Sequence, residues 1–391
     1  MSDGEGLRHE VSVHRRISEI GRGAWDLCAS ASDYADNPFI SFDFLDALEE
    51  AECAVERTGW GPAHILLKDE TGEPAAVMPL YIKSHSRGEY VFDHAWAEAY
   101  QRAGGRYYPK LQSCAPFSPV TGPRLLVRPG VNREAAQKLL IGGALTLCER
   151  LGASGVNITF PTQAEWRLLG DEGLLQRQDQ QFHWFNDGYA DFEAFLAALS
   201  SNRRKTIRRE RRDALAAVEV VALTGAELTE DHWDAFYGFY TDTGERKWGQ
   251  PYLNRRFFSM LGERMADKVL LLLARKDGRW VAGALNLIGG DCLYGRHWGC
   301  SEDIAFLHFE LCYYQAIEHA IRLRLPRVEA GAQGQHKIAR GYLPAPVYSA
   351  HYIADPALRT PVARYLEQEL EAVRQEMDLL AEEYSPFKEA P

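Results

Sequence analysis

The spacing of apolar and polar positions divides the 391-residue chain into two stretches that follow the same order of elements. In the first, residues 39–50 carry a helical pattern. Two apolar runs, His64-Ile-Leu-Leu-Lys and Ala75-Ala-Val-Met-Pro-Leu-Tyr-Ile, flank the turn Asp69-Glu-Thr-Gly-Glu and predict a hairpin. A Pro- and aromatic-rich stretch over 106–124 comes next, then a helix over 132–151 and a strand over 156–160. In the second stretch the pattern predicts a helix over 191–212, a strand over 218–223 and helices over 230–240 and 255–265. A hairpin follows, 269–275 and 280–288 about the turn Lys276-Asp-Gly-Arg, and continues into a strand over 292–298, a helix over 305–323 and a strand at 327–329. The two stretches agree in element order and not in residue identity. They predict an α/β (α+β) protein made by tandem duplication, joined near Gly188, with units 11–187 and 188–391. A closing helix is expected from Thr360-Pro361 as N-cap and first residue, its stripe of Val362, Leu366, Leu370, Val373, Met377 and Leu380 docking on the protein's own body.

Composition narrows the classes. With 46% hydrophobic, 25% charged and 11% aromatic residues, the chain is neither disordered nor fibrous. A net charge of −11 repels DNA and anionic membranes, so a polyanion has to bind a local patch. The seven cysteines are scattered, odd in number and never in a CxxC arrangement, which points to a reducing cytoplasm and away from disulfides or a zinc ribbon. The first residues lack the apolar core of a signal peptide, and the longest aliphatic run, 269–274, is far short of the roughly 20 residues that cross a bilayer. No membrane insertion is expected.

Three features carry candidate chemistry. Residues 203–212 place seven positive charges and one negative in ten positions of an acidic protein. At helical spacing Arg204, Arg208, Arg211 and Arg212 share a face, with Arg203 and Lys205 beside them, so guanidinium forks are expected to meet phosphates; a solvated face paired with carboxylates is the plainer alternative. In the helix over 305–323, Glu310 falls within the apolar sector of Phe306, Tyr313, Tyr314, Ile317 and Ile321 and is expected to be buried. A buried carboxylate is either ion-paired or raised towards the range of a general base. The third feature is Glu329-Ala-Gly-Ala-Gln-Gly-Gln-His-Lys-Ile-Ala-Arg-Gly. It sets Gln333, His336, Lys337 and Arg340 after a strand, where α/β proteins bind substrates. The histidine and cysteine spacings suggest no metal site.

Leu199-Ser-Ser-Asn-Arg-Arg-Lys-Thr-Ile-Arg-Arg-Glu, Tyr294-Gly-Arg-His-Trp-Gly, Leu307-His-Phe-Glu-Leu-Cys-Tyr-Tyr-Gln and the 329–341 segment resemble the FemAB-like branch of the GNAT superfamily. The resemblance covers nearly the whole chain. It implies two tandem GNAT-type domains, each a mixed central sheet flanked by helices, with a ligand cleft at or between them. It also implies transfer of an acyl group to an amine, from aminoacyl-tRNA in Fem ligases and from acetyl-CoA in ordinary GNAT enzymes. No tightly bound cofactor is implied; the acyl donor is a co-substrate.

The GNAT loop that receives the CoA pyrophosphate, R/Q-x-x-G-x-G/A, reads here Gly299-Cys-Ser-Glu-Asp-Ile-Ala-Phe, with no glycine pair and two carboxylates. This tilts the donor towards aminoacyl-tRNA, with tRNA a partner through the basic run, and the acceptor towards a primary amine of a small molecule or cell-wall precursor. In this reading Glu310, Glu329 or His336 removes the ammonium proton. Arg203, Arg204, Lys205, Arg208, Lys337 and Arg340 hold phosphates, and Gln333 orients the acceptor. A binding protein on the same scaffold, without turnover, is the alternative from another class.

Overall fold

The computed structural model describes residues 10–31, 36–247, 251–331 and 334–388. By their contacts the residues form two units, Met1–Asp179 with Val347–Glu371, and Gln180–Pro346 with Ala372–Pro391. Residues 347–371, expected in the second unit, therefore belong to the first. The reason is pairing: 349–353 lie antiparallel against Gly155–Thr159, with Ser349 opposite Thr159 and Ile353 opposite Gly155. The Leu343–Ile353 strand escaped the sequence reading because Pro344 and Pro346 interrupt its pattern.

Within the first unit, Glu10–His14, His64–Lys68, Pro74–Met78 and Leu126–Val127 make an antiparallel four-stranded sheet in that order. The run expected as one strand, 75–82, is split at Pro79. Its first part pairs with His64–Lys68, and Tyr81–Lys83 pairs instead with Trp60–Pro62 and Lys110–Ser113. A proline has no N–H to give a ladder, so the chain changes partner there. The helix Arg133–Leu151 is capped by Asn132, whose side chain accepts from the Ala135 amide at 3.2 Å, and it buries Ala136, Leu140, Ile141, Ala144 and Cys148 against Ile65, Met78, Leu111, Val156 and Ile158. The closing helix, Pro356–Glu383, starts earlier than Thr360-Pro361: Asp355 accepts from the Ala357 amide at 2.8 Å and caps it, and Pro361 stands inside. Leu358, Val362 and Leu366 pack on Trp96, Tyr107 and Ile353 of this unit, and Arg177 holds Glu369 through two bonds of 2.7 Å.

The second unit is built on Glu219–Leu223, Val269–Lys276, Arg279–Ile288 and Cys292–Cys300, antiparallel neighbours in chain order; Arg327–Glu329 then runs parallel to Cys292–Tyr294, and 183–185 closes on it antiparallel. Its core gathers Leu270, Leu272, Ala284, Leu293, Leu311, Ile317 and Val328, with Leu380 of the closing helix. The helix expected over 191–212 is two, Phe192–Ala198 and Ser201–Ala217, because Leu199 is extended at φ −78 and ψ 156. The helix expected from 305 begins at Leu307, since Phe306 is left-handed at φ 63, and it passes through a π-turn over Glu310–Tyr314 before ending at Arg322. Among the described residues, no helix is long and apolar enough to cross a membrane.

Candidate active site

Strand pairing in the second unit opens the site. Cys292, Leu293 and Tyr294 pair in parallel with Arg327, Val328 and Glu329, and there the shared register ends. Gly295–Cys300 stays on its antiparallel neighbour, whose register shifts at Leu285/Asn286, while the chain after Glu329 turns away through Gly331 at φ 79. The parting leaves a cavity of about 140 Å³ whose walls include Asn286, Arg296, Trp298, His308, Tyr313 and Ala330. The His308 ring packs edge-on to Trp298 at 5.3 Å and to Tyr313 at 5.4 Å. The cavity walls thus join aromatic and imidazole rings to the Asn286 amide, Arg296 and the buried Tyr313 hydroxyl.

That hydroxyl is paired. Tyr313, 3% exposed, lies 2.9 Å through its Oη from His336 Nε2. Burial pushes the Tyr313 phenol up, so it stays protonated, and burial together with the Arg340 and Lys337 charges pulls His336 below the ordinary histidine value of 6.5. At neutral pH the couple is thus a neutral phenol beside a neutral imidazole, and in the Nδ1–H tautomer the phenol donates and Nε2 accepts.

The turn carrying His336, Gln335–Arg340, is held from two sides. The buried Lys337 amine donates to the carbonyls of Ala330 and Gly331 at 2.7 and 2.9 Å, and burial lowers it to about 8. The Arg340 guanidinium donates to both Glu210 oxygens at 3.0 Å and to the His336 carbonyl at 2.8 Å, and it lies 3.4 Å over the Phe309 ring. Tyr314 also donates to Glu210. Lys337 and Arg340, expected to hold phosphates, instead direct these donors to the loop's own carbonyls and to Glu210. Gln333 lies outside the described residues.

Glu310 is buried, as its place on the helix predicts, and fully engaged: Arg211 donates to it at 3.0 to 3.3 Å and Gln315 at 2.7 Å, with Arg211 also bonding Glu318 at 2.7 Å. The geometry is that of a structural ion pair. Glu329, 3% exposed, sits at the point where the strands part, with its Oε1 3.4 Å from Arg327 Nε. His336 is linked to the cavity through Tyr313, Glu329 precedes Ala330 of its wall, and Glu310 faces the basic helix.

Ser201–Ala217 does not converge its cations. Ile207, Glu210 and Ala214 are its buried face; Arg211 turns to Glu310, Arg208 to Glu193, and Arg212 to the adjacent Asp213. Arg204 Nη1 reaches the Leu199 carbonyl at 3.5 Å. Arg203, Lys205 and Arg209 are exposed, and among the described residues none of them is ion-paired.

Two participants were missed from sequence. Tyr313 was read as one more apolar residue of its helix, since nothing in the spacing says that a π-turn and a histidine from 23 residues on meet at its hydroxyl. Glu210 had a legible signal: the lone acid in a basic run, it falls on the Ile207–Ala214 face, where only a paired carboxylate is tolerated.

The profile of the FemAB-like family, described as peptidoglycan biosynthesis/recognition, matches residues 16–389. No curated protein matches the chain in sequence. Among solved structures, FemX is 12% identical, with a TM-score of 0.55 over 91% of this chain and 100% of its own. The C-terminal domain of a putative lysylphosphatidylglycerol synthetase from Agrobacterium fabrum is 10% identical, with a TM-score of 0.53 over 93% of this chain and 97% of its own. At such identities the likeness speaks for the fold alone. With a profile spanning nearly its whole length, the protein belongs to the FemAB-like family.

Proposed function

We propose that the protein transfers an acyl group to a primary amine of a small-molecule or cell-wall-precursor-like acceptor, with aminoacyl-tRNA as the favoured donor. The observation that carries this reading is the Tyr313–His336 couple at the cavity where the strands part. The acceptor nitrogen attacks the acyl carbonyl carbon, and a C–N bond forms. The ammonium proton passes to Tyr313 Oη as the phenol proton moves to His336 Nε2. When the acyl C–O bond breaks, the relay runs back and protonates the leaving oxygen. One proton enters and one leaves, so the couple is restored each turnover, and proximity supplies much of the remaining acceleration. His336 has to be neutral to accept. Its lowered value therefore puts the acid limb of the rate profile below pH 6.5, and a limb above that value, in kcat measured against pH, counts against His336.

The donor preference rests on two features. The entry to the helix at Leu307 carries Glu302, bonded to Lys276 at 2.8 Å, and Asp303, and the Leu307 and Glu310 amides are spent on the Ile304 and Phe306 carbonyls. A pyrophosphate there would meet carboxylates and few open amides. Arg203, Lys205 and Arg209, by contrast, offer charge to a nucleic-acid backbone. Binding of aminoacylated tRNA, uncharged tRNA and acetyl-CoA at physiological salt tests this. tRNA binding is expected to fall about tenfold when Arg203, Lys205 and Arg209 are all changed to Ala, and to weaken with salt. Acetyl-CoA binding that ignores the triple change, with tRNA silent, would make the donor an acyl-CoA. Glu310→Gln is expected to cost about 2 kcal/mol of stability through the weakened Arg211 pair while leaving transfer per folded molecule unchanged; a lost rate in well-folded protein would return Glu310 to the mechanism.

A further inference from the structure

The first unit contains a cavity of about 410 Å³, independent of the site described above. Val55, Pro62 and Ile82 give it apolar walls, and Arg15 and Arg16, both exposed, are among its lining residues. Among the described residues neither guanidinium meets a carboxylate. The two carboxylates that also line the cavity differ in availability. Glu49 is buried and committed, accepting from the Ile17 amide at 3.0 Å and lying 2.6 Å from His64 Nε2, whereas Glu56 is exposed. Two uncommitted cations therefore stand against one uncommitted anion.

The walls are fixed by bonds rather than by packing alone. The single proton of the Thr58 hydroxyl is shared between the Cys53 and Val55 carbonyls at 2.9 and 2.8 Å, and its oxygen accepts from the Val55 amide at 3.1 Å. The Thr58 carbonyl lies 2.9 Å from His85 Nε2, and the Ser84 amide donates to the Gly59 carbonyl at 3.3 Å. Gly59 is left-handed at φ 75, and a Cβ there would fall 2.5 Å from His85 Nε2, so this turn admits only glycine. Lys83, fully buried, completes the lining, its amine 3.5 Å above the Trp60 ring and 3.5 Å from Glu89. Apolar walls with a few convergent polar groups are the general form of a small-molecule site.

We propose that this cavity binds a small organic anion, its carboxylate or phosphate held by Arg15 and Arg16 and its apolar body seated against Val55, Pro62 and Ile82. A guanidinium fork meets either oxyanion in the same bidentate way, so both headgroups share one chemistry. The proposal does not depend on the second unit's reaction.

Benzoate and phenyl phosphate are suitable probes, titrated by ligand-observed NMR into the full chain, into Arg15→Ala/Arg16→Ala, and into Gly61→Phe. Gly61 lines the cavity, and a Cβ there meets nothing closer than 3.6 Å, so a side chain can start from it towards the cavity. Saturable binding of either probe, weakened at least about tenfold in both variants at unchanged circular dichroism, is the expected result. Binding of benzoate alone assigns a carboxylate and of phenyl phosphate alone a phosphate. No saturation by about 10 mM of either probe, or affinity unchanged in the two variants, overturns the proposal. If Gly61→Phe fails to fold, the arginine variant decides by itself.

Discussion

Tyr313→Phe is expected to slow acyl transfer about 100-fold or more while leaving the fold intact, because it removes one oxygen and with it the hydroxyl that links the cavity to His336. The ring itself keeps its contacts with His308 at 5.4 Å and Tyr342 at 5.5 Å, so packing is preserved. His336→Gln is expected to fall in the same range. Since the two side chains form one relay, the double variant should be little slower than either single one. Single-turnover rates with preloaded donor are the direct measurement. A wild-type rate in either single variant, or losses that multiply in the double, would remove the relay from the mechanism.

The largest expected loss of stability follows Glu210→Ala. Glu210, 5% exposed, accepts both bonds of the Arg340 fork and the Tyr314 hydroxyl. Removing it strands a guanidinium that is itself only 8% exposed, which costs about 3–5 kcal/mol. The loss should appear as a lowered urea midpoint for the transition of the second unit. Arg340→Ala should cost a comparable amount, and Glu210→Ala/Arg340→Ala together less than the two summed, because the second change removes the charge the first had orphaned. Strict additivity would mean that the pair is not coupled. The same contact also anchors the turn that presents His336, so Glu210→Gln, which keeps one acceptor, should raise KM or lower kcat more than its smaller stability loss explains.

Legibility from sequence varied with how local each feature was. The hairpin about Asp277-Gly278 and the helix capped by Asn132 were read with their ends nearly right, because turn residues and caps act within a few positions. Leu175–Phe185 was missed, since Gln176, Gln178, Gln180 and Gln181 do not mark a strand by pattern, and its place is decided by a neighbour 142 to 146 residues away, as in Phe185 opposite Arg327. The buried position of Glu310 was legible from its helical sector. Its partner was not, because Arg211 looked like one more phosphate-binding cation until the fold set it beside that carboxylate.

By itself the sequence determined the α/β class, the doubled element order, the family and the segment carrying His336. The class and the element order follow from residue periodicity and short-range turn chemistry, which are properties of the chain before it folds, and the family from motifs that resemble FemAB-like proteins. Only the tertiary structure decided which charges are spent and which remain. Lys337 and Arg340 became braces, Arg203, Lys205 and Arg209 stayed outward, Tyr313 met His336, and residues 347–371 joined the first unit. The physical reason is that a charge or hydroxyl takes its function from the partner at its tip within about 3 Å, and that partner comes from elements far apart in sequence, brought together by strand pairing and core burial.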